Sequence, residues 1–440
     1  MTRKAKAPKK TTTDSVLRVG LLGFGTVGQG VAQILRENAA LMEHRAGRPV
    51  KIQRALVRMK RKKRAIDGIE LTTKSSDIVG ASDIDVVVEL MGGLEPATTL
   101  MSQALESGQP VVTANKAAIA KSGSRLLKVA ARKGVRLSFE AAVAGGVPII
   151  RSLRQGLASD RVTSIRGILN GTTNYILSEM ARGGTYEAAL KSAQDLGFAE
   201  ADPTLDVEGF DAADKIRILA ALGFGSQVAA SKVSVEGITG LTPETMADAA
   251  RLGMTMKLIA SAERLGDSIA LAVSPCLVEV GHPLSAVPSA QNAIAIESDA
   301  LGLTHFQGPG AGGLPTGSAV VADLLETGRD LLSQAPLMVP KIYLPNAPKV
   351  VSSGALKSRA YMRVTVAERP GVLSELTGIL ADEGISIATM FQDDSHPENG
   401  RVPVVLTTHI TSRAALGRAA KRVSKSRVLK AKPTWLPIVP

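Results

Sequence analysis

The hexapeptide Gly23–Gly28, GFGTVG, decides the fold of this chain. The apolar run at 16–22 before it reads as a strand, and the segment QGVAQILREN after it has helical spacing. A G-x-G-x-x-G turn between a strand and a helix is typical of dinucleotide-binding domains. Its glycines permit a tight turn, a close approach of pyrophosphate and close helix packing. The predicted cofactor contacts are Gly23, Phe24, Gly25, Thr26, Val27 and Gly28.

The end of the second predicted strand, Lys51–Val57, bears on the choice of cofactor. Domains that prefer NAD usually place an acidic residue there to hold the ribose hydroxyls. Here Arg58 opens a run of basic residues, which favours the 2′-phosphate of NADP, although NAD use stays open. A solvated charged loop explains most of the run, so Arg58 is the predicted phosphate contact and Lys60 a weaker one.

Two further apolar strands are predicted at 85–90 and 110–113, and the second is followed by Ala114, Asn115 and Lys116. Ligands of parallel sheets bind outside the carboxyl ends of the strands. Lys116 is therefore predicted to face the cofactor cleft, where it contacts the cofactor, the substrate or both. Another strand is expected at Arg136–Glu140.

The acidic stretch GFAEADPTLDVEGFDAADK, residues 197–215, leads into a predicted helix at 210–222. Asp211 and Lys215 lie four residues apart, and hence on one face of that helix. A lysine held there by carboxylates could donate a proton, whereas an isolated pair of this spacing is more often solvated. Upstream, a strand at 164–169 delivers Asn170 and Thr172 to a helix start, which suits either a binding loop or helix capping.

Composition narrows the class of protein. The net charge of +13 is confined to short runs at 1–14, 51–64 and 421–432, and the remainder is mildly acidic. These runs lack interleaved aromatic residues, so no nucleic-acid partner is expected. The chain has one cysteine, which suits a reducing cytoplasm, and it lacks an apolar run of about 20 residues that would span a membrane. Residues 1–14 read as a disordered basic tail.

The combined motifs resemble those of the homoserine dehydrogenase family over nearly the whole chain. They are GFGTVG, TANK at 113–116, EAAVAGGVP from Glu140, NGTTNYIL from Asn170, the acidic stretch at 197–215 and FQGPGAGGLPTGSAVVADL from Phe306. The resemblance implies an α/β protein with a Rossmann domain at 15–140, completed by 316–340, and an α+β catalytic and dimerisation domain at 141–315. A linker is expected at 341–357.

Residues 358–440 show the order β-α-β-β-α, which resembles a ferredoxin-like ACT domain. Its turn RPGVL, residues 369–373, commonly precedes an amino-acid effector site in such domains. In this family that implies feedback inhibition by L-threonine. An ACT domain that only mediates assembly is the alternative.

The resemblance also implies an activity, which is the NAD(P)-dependent interconversion of L-homoserine and L-aspartate 4-semialdehyde on the route to threonine, methionine and isoleucine. By position, Lys215 resembles the proton donor, and Lys116 a second lysine near the substrate. Glu200 resembles the residue that binds the substrate amino group, and Asp211 its acidic neighbour. Gly312 resembles a late cofactor contact. The monovalent-cation site, usually filled by sodium, is implied at Glu140, Val143, Gly145 and Val147. A homodimer or homotetramer is expected.

Two alternative functions can be compared with the residues that each would require. A semialdehyde dehydrogenase would need a cysteine nucleophile, and Cys276 lies in an apparent strand where a buried structural thiol is expected. A non-catalytic amino-acid sensor would lack the lysines and Glu200, which are present.

Overall fold

The structure is a computed structural model that describes residues 16–59, 68–333, 342–392, 400–426, 429 and 432–439. The predicted basic tail at 1–14 and the weaker phosphate candidate Lys60 lie outside the described residues. The described parts of Met1–Arg151 and Ala311–Lys341 form one compact unit, called unit 1. Those of Ser152–Gly310 and Ile342–Pro440 form unit 2.

The strands of the described chain alternate with helices in the first half and cluster in the second. They are β1 (Leu17–Leu22), β2 (Val50–Leu56), β3 (Glu70–Thr72), β4 (Val86–Glu89), β5 (Val111–Thr113), β6 (Leu137–Ser138), β7 (Val162–Ile168), β8 (Val233–Val235), β9 (Met254–Leu265), β10 (Ser268–Glu279), β11 (Gln291–Ser298), β12 (Gly302–Pro309), β13 (Lys349–Val350), β14 (Lys357–Ala367), β15 (Ile387–Gln392), β16 (Arg401–Thr408), β17 (Thr411–Ser412) and β18 (Thr434–Val439).

The α-helices vary from single turns to about five turns. They are α1 (Thr26–Glu37), α2 (Ala39–Ala46), α3 (Ala97–Glu106), α4 (Lys116–Lys133), α5 (Ile149–Arg151), α6 (Gly171–Ala181), α7 (Tyr186–Asp195), α8 (Thr204–Val207), α9 (Phe210–Phe224), α10 (Pro243–Arg251), α11 (Gly313–Leu332), α12 (Val372–Asp382) and α13 (Arg413–Lys425).

Unit 1 is built on a parallel sheet with the strand order β3-β2-β1-β4-β5-β6. Its central strands are apolar on both faces, and Val86, Val87 and Val88 are fully buried. Parallel sheets need helices on both faces, which explains these continuous apolar runs. This strand order is that of the Rossmann fold. The prediction of a Rossmann domain from the GFGTVG turn is therefore confirmed.

Helix α11 returns from the far end of the chain and packs against α1 at glycine contacts. A Cβ atom built on Gly30 would lie 2.2 Å from the carbonyl oxygen of Gly313, and one built on Gly317 would lie 3.0 Å from the backbone nitrogen of Val31. The two helices can approach so closely only because these positions carry no side chain. The described part of Ala311–Lys341 is thus an integral part of unit 1.

The last strand of the unit 1 sheet is shorter than the sequence predicted. The expected strand at Arg136–Glu140 is reduced to Leu137–Ser138, and a 3₁₀ turn begins at Glu140. The backbone N–H of Glu140 donates to the carboxylate of Asp323 instead of to a neighbouring strand. A long-range contact, invisible in the local sequence, ends the strand early.

Unit 2 contains a single mixed sheet whose main path is β12-β11-β7-β9-β10-β18-β14-β16-β15. Strands β7, β9, β10 and β11 pair antiparallel, and helices α6 and α9 contact them. The part of the chain that the structure describes holds no helix long and apolar enough to cross a membrane.

The C-terminal region supplies β14-α12-β15-β16-α13-β18, one strand more than the sequence predicted. Strand β18 pairs with β14 on one side, where Leu436 faces Tyr361, and with β10 on the other, where Ile438 faces Leu277. The ACT-like region and the central strands therefore share one sheet. Within the expected linker, β13 pairs with β10.

The glycine contact between α1 and α11 predicts an unusual response to mutation. Gly→Ala inside a helix normally stabilises by about 0.5–1 kcal/mol. Gly30→Ala is instead expected to destabilise by about 1–3 kcal/mol, because its Cβ overlaps the Gly313 backbone. Gly417→Ala in α13, with nothing within 4 Å of the new atom, is the matched control. Urea unfolding checks both variants, and equal effects would contradict the packing argument.

Candidate active site

The turn after β1 has the geometry of a phosphate cradle. Gly23 has a φ of +108°, and a Cβ atom there would lie 2.9 Å from the carbonyl group of Leu90. A Cβ on Gly28 would lie 2.8 Å from the oxygen of Gly23. No atom lies within 4 Å of the Cβ position of Gly25, so the surface above the helix N-terminus is open. Backbone N–H groups and the helix dipole can meet a pyrophosphate there.

The other predicted cofactor contacts of unit 1 surround this turn. Phe24 is buried in the core, so only its backbone can serve a ligand, whereas Thr26 is exposed and Val27 is half-buried. Gly312 caps α11, and a Cβ on the next residue, Gly313, would lie 3.0 Å from the oxygen of Thr26. Gly312 is thereby held beside the first turn of α1.

Arg58 lies two residues beyond β2, the strand next to β1, and its side chain is exposed. The carboxyl ends of parallel strands share one edge of a sheet, so Arg58 emerges at the edge that carries GFGTVG. A guanidinium group at this edge can form bidentate hydrogen bonds with a phosphate.

Lys116 begins α4 directly beyond β5, at the same edge of the sheet. Asn115 fixes this helix start, because its side chain accepts from Ala118 N–H and donates to the Gly93 oxygen at 2.7 Å. Behind it, Thr113 donates to the fully buried carboxylate of Glu89 at 2.7 Å. Burial raises the pKa of Glu89, against hydrogen bonds that lower it. Sequence reasoning missed Glu89, which lies inside an apolar strand.

The segment predicted to hold a cation is buried and conformationally constrained. Val143, Ala144 and Val147 are almost fully buried. Ala144 and Gly145 have φ values of +53° and +35°, which is unusual for alanine. The carboxylate of Glu140 accepts from the N–H groups of Ile150 and Arg151 at 2.9 and 2.8 Å, so it holds the start of the following helix.

The electrostatics beside this segment favour a cation. Carboxyl groups outnumber guanidinium groups in the network formed by Glu140, Asp323, Glu326, Asp330, Arg136 and Arg151. Burial raises the pKa of Asp323 to about 7, with a further contribution from the charge of Glu140. Main-chain carbonyl oxygens beside an excess of carboxyl groups are chemically compatible with an alkali cation. No group of three or more His, Cys, Asp or Glu suited to a metal occurs among the described residues.

In unit 2, Lys215 is buried on α9 and held by two acceptors. Its Nζ donates to the carbonyl oxygen of Leu169 at 2.7 Å and to Asp211 Oδ2 at 2.8 Å. Asp211 is itself buried, at 5% exposure. The pair is therefore not the solvated surface pair that its spacing also allowed. A buried ammonium group needs such partners to offset its desolvation.

Asn170 joins the lysine pair to the start of α6. Its Oδ1 accepts from Thr173 N–H at 2.9 Å, so it caps the helix. Its Nδ2 donates to Asp211 at 2.9 Å and to Asp206 at 2.7 Å. Capping and site formation are thus performed by one side chain. Sequence reasoning missed Asp206, although it lies inside the acidic stretch.

Thr172 and Glu200 lie near the same helix start. The hydroxyl of Thr172 donates to the carbonyl oxygen of Phe198 at 2.6 Å, which ties α6 to the acidic stretch. Phe198 also stacks edge-on against Tyr175, with ring centroids 5.2 Å apart. Glu200 follows two residues later and is exposed. The structure thus leaves Glu200 accessible to a ligand.

A second buried lysine, Lys257 on β9, was not predicted at all. Its Nζ donates to Asn174 Oδ1 at 2.9 Å and to the carbonyl oxygen of Val287 at 2.8 Å. Asn174 in turn donates to the oxygen of Ser289 at 2.6 Å. Desolvation lowers the pKa of Lys257 to about 8. No local pattern marks this residue, because β9 is otherwise an ordinary buried strand.

Cys276 is buried on β10, as expected for a structural thiol. Burial raises the pKa of its thiol, which disfavours the thiolate needed for nucleophilic attack. The alternative of a semialdehyde dehydrogenase with a cysteine nucleophile therefore has no support from this residue.

Comparisons with known proteins identify the family of this chain. A family profile described as "Homoserine dehydrogenase" matches residues 148–325, one described as "Homoserine dehydrogenase, NAD binding domain" matches residues 23–140, and one described as "ACT domain" matches residues 360–426. The homoserine dehydrogenase of Bacillus subtilis is 42% identical over 402 residues, which are 90% of this chain and 92% of the relative. The chain belongs to the homoserine dehydrogenase family.

Solved structures agree with this assignment. A homoserine dehydrogenase from Thiobacillus denitrificans has a TM-score of 0.91 at 42% identity and covers 97% of this chain and 98% of its own. A hyperthermophilic archaeal homoserine dehydrogenase, solved in complex with NADPH, has a TM-score of 0.63 at 26% identity, with 74% and 100% covered. The chain is an NAD(P)-dependent oxidoreductase of the homoserine dehydrogenase family with a C-terminal ACT domain.

The lowered pKa of Lys257 predicts a specific pH dependence of stability. Between pH 8 and 10.5 the unfolded chain keeps a proton that the folded chain has lost, so this residue makes stability rise with pH. The free energy of unfolding of wild type relative to Lys257→Met should therefore rise by about 2–3 kcal/mol from pH 7.5 to 10. Denaturant unfolding measures this difference. Lys232→Met, at an exposed lysine, should run parallel to wild type, and a parallel Lys257→Met curve would contradict the prediction.

Proposed function

We propose that the chain reduces L-aspartate 4-semialdehyde to L-homoserine, and catalyses the reverse reaction, with Lys215 as the proton donor. The observation that carries the proposal is the buried contact of Lys215 with Asp211 and the Leu169 carbonyl, in a chain of the homoserine dehydrogenase family. A bound nicotinamide cofactor supplies the hydride. The substrate oxygen then gains negative charge, which a positioned ammonium group can stabilise and protonate.

The third N–H of the Lys215 ammonium is assigned to the substrate oxygen. An ammonium group has three donors, and Leu169 and Asp211 accept two of them. The carboxylate of Asp211 lies beside the lysine, and Asn170 donates a hydrogen bond to that carboxylate. The proton is thereby held at Nζ and aimed by fixed acceptors.

The remaining polar groups suit the amino-acid part of the substrate. Its ammonium group requires an acidic partner, and Glu200 is the exposed carboxylate that we assign to it. Asn170 and Thr172 lie at the start of α6, and we assign the carboxylate of the substrate to this helix N-terminus, where an anion is favoured. Lys116 is proposed to contact both cofactor and substrate.

For the cofactor we propose NADP, with NAD as a weaker alternative. Gly23, Gly25, Gly28 and Gly312 provide backbone for the diphosphate, and Arg58 the charge for the 2′-phosphate. The cation is proposed to be sodium, held by carbonyls at Glu140, Val143, Gly145 and Val147. It would organise the buried segment that follows β6.

Feedback inhibition by L-threonine is proposed for the ACT domain, on the route to threonine, methionine and isoleucine. The turn before α12 supports it, since Gly371 has a φ of +90° and open space at its Cβ position. Strand β18 gives the effector region a direct hydrogen-bonded path into the central sheet. We also propose a cytoplasmic homodimer or homotetramer. Support for assembly is the outermost strand β12, where Leu303 is 47% exposed.

The experiment that tests the activity follows nicotinamide oxidation with aspartate 4-semialdehyde, with NADPH and NADH compared at equal concentration. Rapid turnover that favours NADPH is expected. Adding threonine tests the ACT domain, and replacing sodium by choline tests the cation. A folded protein that consumes neither cofactor would overturn the catalytic assignment and favour an amino-acid sensor.

Lys215→Ala is predicted to lower kcat by about 10²- to 10⁴-fold, the usual contribution of a general acid. Its affinity for NADPH should stay near that of wild type, because the lysine acts on the substrate oxygen. Lys191→Ala is the matched control, since Lys191 forms an exposed pair with Asp195 at the same spacing. Stopped-flow measurement of aldehyde reduction gives the rate, and fluorescence titration with NADPH gives the affinity. Loss of cofactor binding in Lys215→Ala would sink the assignment.

Arg58→Ala is predicted to raise KM for NADPH about tenfold or more, the loss of one charged hydrogen-bonded contact. KM for NADH should change little, because NADH lacks the 2′-phosphate. Lys51→Ala, at the opposite end of the same strand, is the control. If Arg58→Ala raised KM equally for both cofactors, the assignment of Arg58 as a contact of the 2′-phosphate would be contradicted.

A further inference from the structure

The carbonyl oxygen of Leu169 accepts from two side chains. Lys215 Nζ lies 2.7 Å away, and Asn292 Nδ2 lies 3.0 Å away. A carbonyl oxygen has two lone pairs, so both donors can bind at once. The peptide group after Leu169 is then held on both sides. Any rotation of this peptide would break one of the two hydrogen bonds.

The packing around Asn292 fixes the position of its side-chain amide. It is the second residue of β11 and is 1% exposed. A Cβ atom on Gly310 would lie 2.1 Å from its Oδ1 and 2.2 Å from its Cγ, so the amide occupies the space that a side chain at position 310 would need. Its Nδ2 must face Leu169, because the opposite orientation would place two oxygens together. The absence of a Gly310 side chain thus lets the Asn292 amide fit.

If Asn292 served packing alone, its amide would be an energetically unfavourable side chain at this position. Asn292 Oδ1 accepts no hydrogen bond from any described residue, and a buried acceptor without a donor is destabilising, because its lost hydration is not replaced. An apolar side chain of similar size, such as leucine, would avoid that cost. Unlike leucine, the amide supplies a hydrogen-bond donor to the Leu169 carbonyl.

We propose that Asn292 is a positioning residue for the reaction, which fixes the Leu169 carbonyl and through it the ammonium group of Lys215. The proposal rests on the proposed role of Lys215 as proton donor. Asn292 does not touch the substrate in this scheme. It keeps one of the two acceptors that set the direction of the third N–H of the lysine.

Two variants test the proposal by opposite electrostatic effects. Asn292→Leu removes the donor and keeps the volume, so Lys215 loses a firmly held acceptor. Asn292→Asp places a negative charge close to the ammonium group, since both side chains bind the same oxygen. Both variants should lower kcat at least about tenfold, which corresponds to about 1.4 kcal/mol. The affinity for NADPH should remain unchanged.

The decisive readout is the alkaline limb of the profile of kcat against pH. It should move to lower pH in Asn292→Leu, which weakens the hold on the ammonium group, and to higher pH in Asn292→Asp. A merely structural residue would leave the limb of Asn292→Leu at the wild-type pH, since a new charge in Asn292→Asp moves it in any case. Gln291→Leu, the neighbouring amide on the same strand, is the control and should leave kcat and the limb as in wild type.

The outcomes separate this proposal from the function on which it rests. If wild type turns over and Asn292→Leu matches it in kcat and pH profile, the positioning role is overturned while the activity stands. If neither Asn292 variant folds, as judged by thermal unfolding, the amide serves the fold and the proposal also fails. If wild type shows no turnover, the proposed function fails first.

Discussion

The burial of one ammonium group constrains the arrangement of unit 2. Lys215 lies on the apolar side of α9, where an unpaired charge would be strongly unfavourable. Its Nζ instead donates to a carboxylate one turn away on the same helix and to a carbonyl at the end of β7. Each partner then needs its own support, which Asn170 gives to Asp211 and Asn292 gives to the carbonyl. The polar network around α6 follows from that requirement.

In unit 1 the constraint is close approach of the backbone, and not the burial of a charge. Cofactor phosphates need exposed N–H groups, so the turn after β1 must stay free of side chains at Gly25. The glycines between α1 and α11 bring a helix from far downstream in the sequence against the first helix. A residue distant in sequence, Gly312, is placed beside the phosphate turn in this way.

In unit 2 the ACT domain is joined to the central strands through β18. Strand β18 lies between β14 and β10, so the two regions share backbone hydrogen bonds. The hydroxyl of Tyr361 on β14 donates to Asp248 on α10 at 2.6 Å, and Arg251 lies over the ring of Phe391. Movement of the ACT strands would therefore act on the central sheet through several contacts.

Features that depend on local sequence were predictable, and features that depend on folding were not. The GFGTVG turn and the four-residue spacing of Asp211 and Lys215 are local, so the Rossmann domain and the lysine pair could be predicted. Lys257 and Asn292 gain their partners from positions 83 and 123 residues away, and nothing around them in sequence marks them. Strand β18 was missed because Pro437 interrupts its pattern, and its pairing depends on a strand far upstream. Burial also converted a pair that could have been solvated into a constrained one.

The most direct test of this account is a crystal structure of the protein with L-homoserine and the oxidised cofactor bound. We predict that the homoserine hydroxyl oxygen lies about 3 Å from Lys215 Nζ, while the contacts of Nζ with Asp211 and the Leu169 carbonyl are kept. A substrate hydroxyl bound to another donor, or a lysine that releases both acceptors to reach it, would contradict the account.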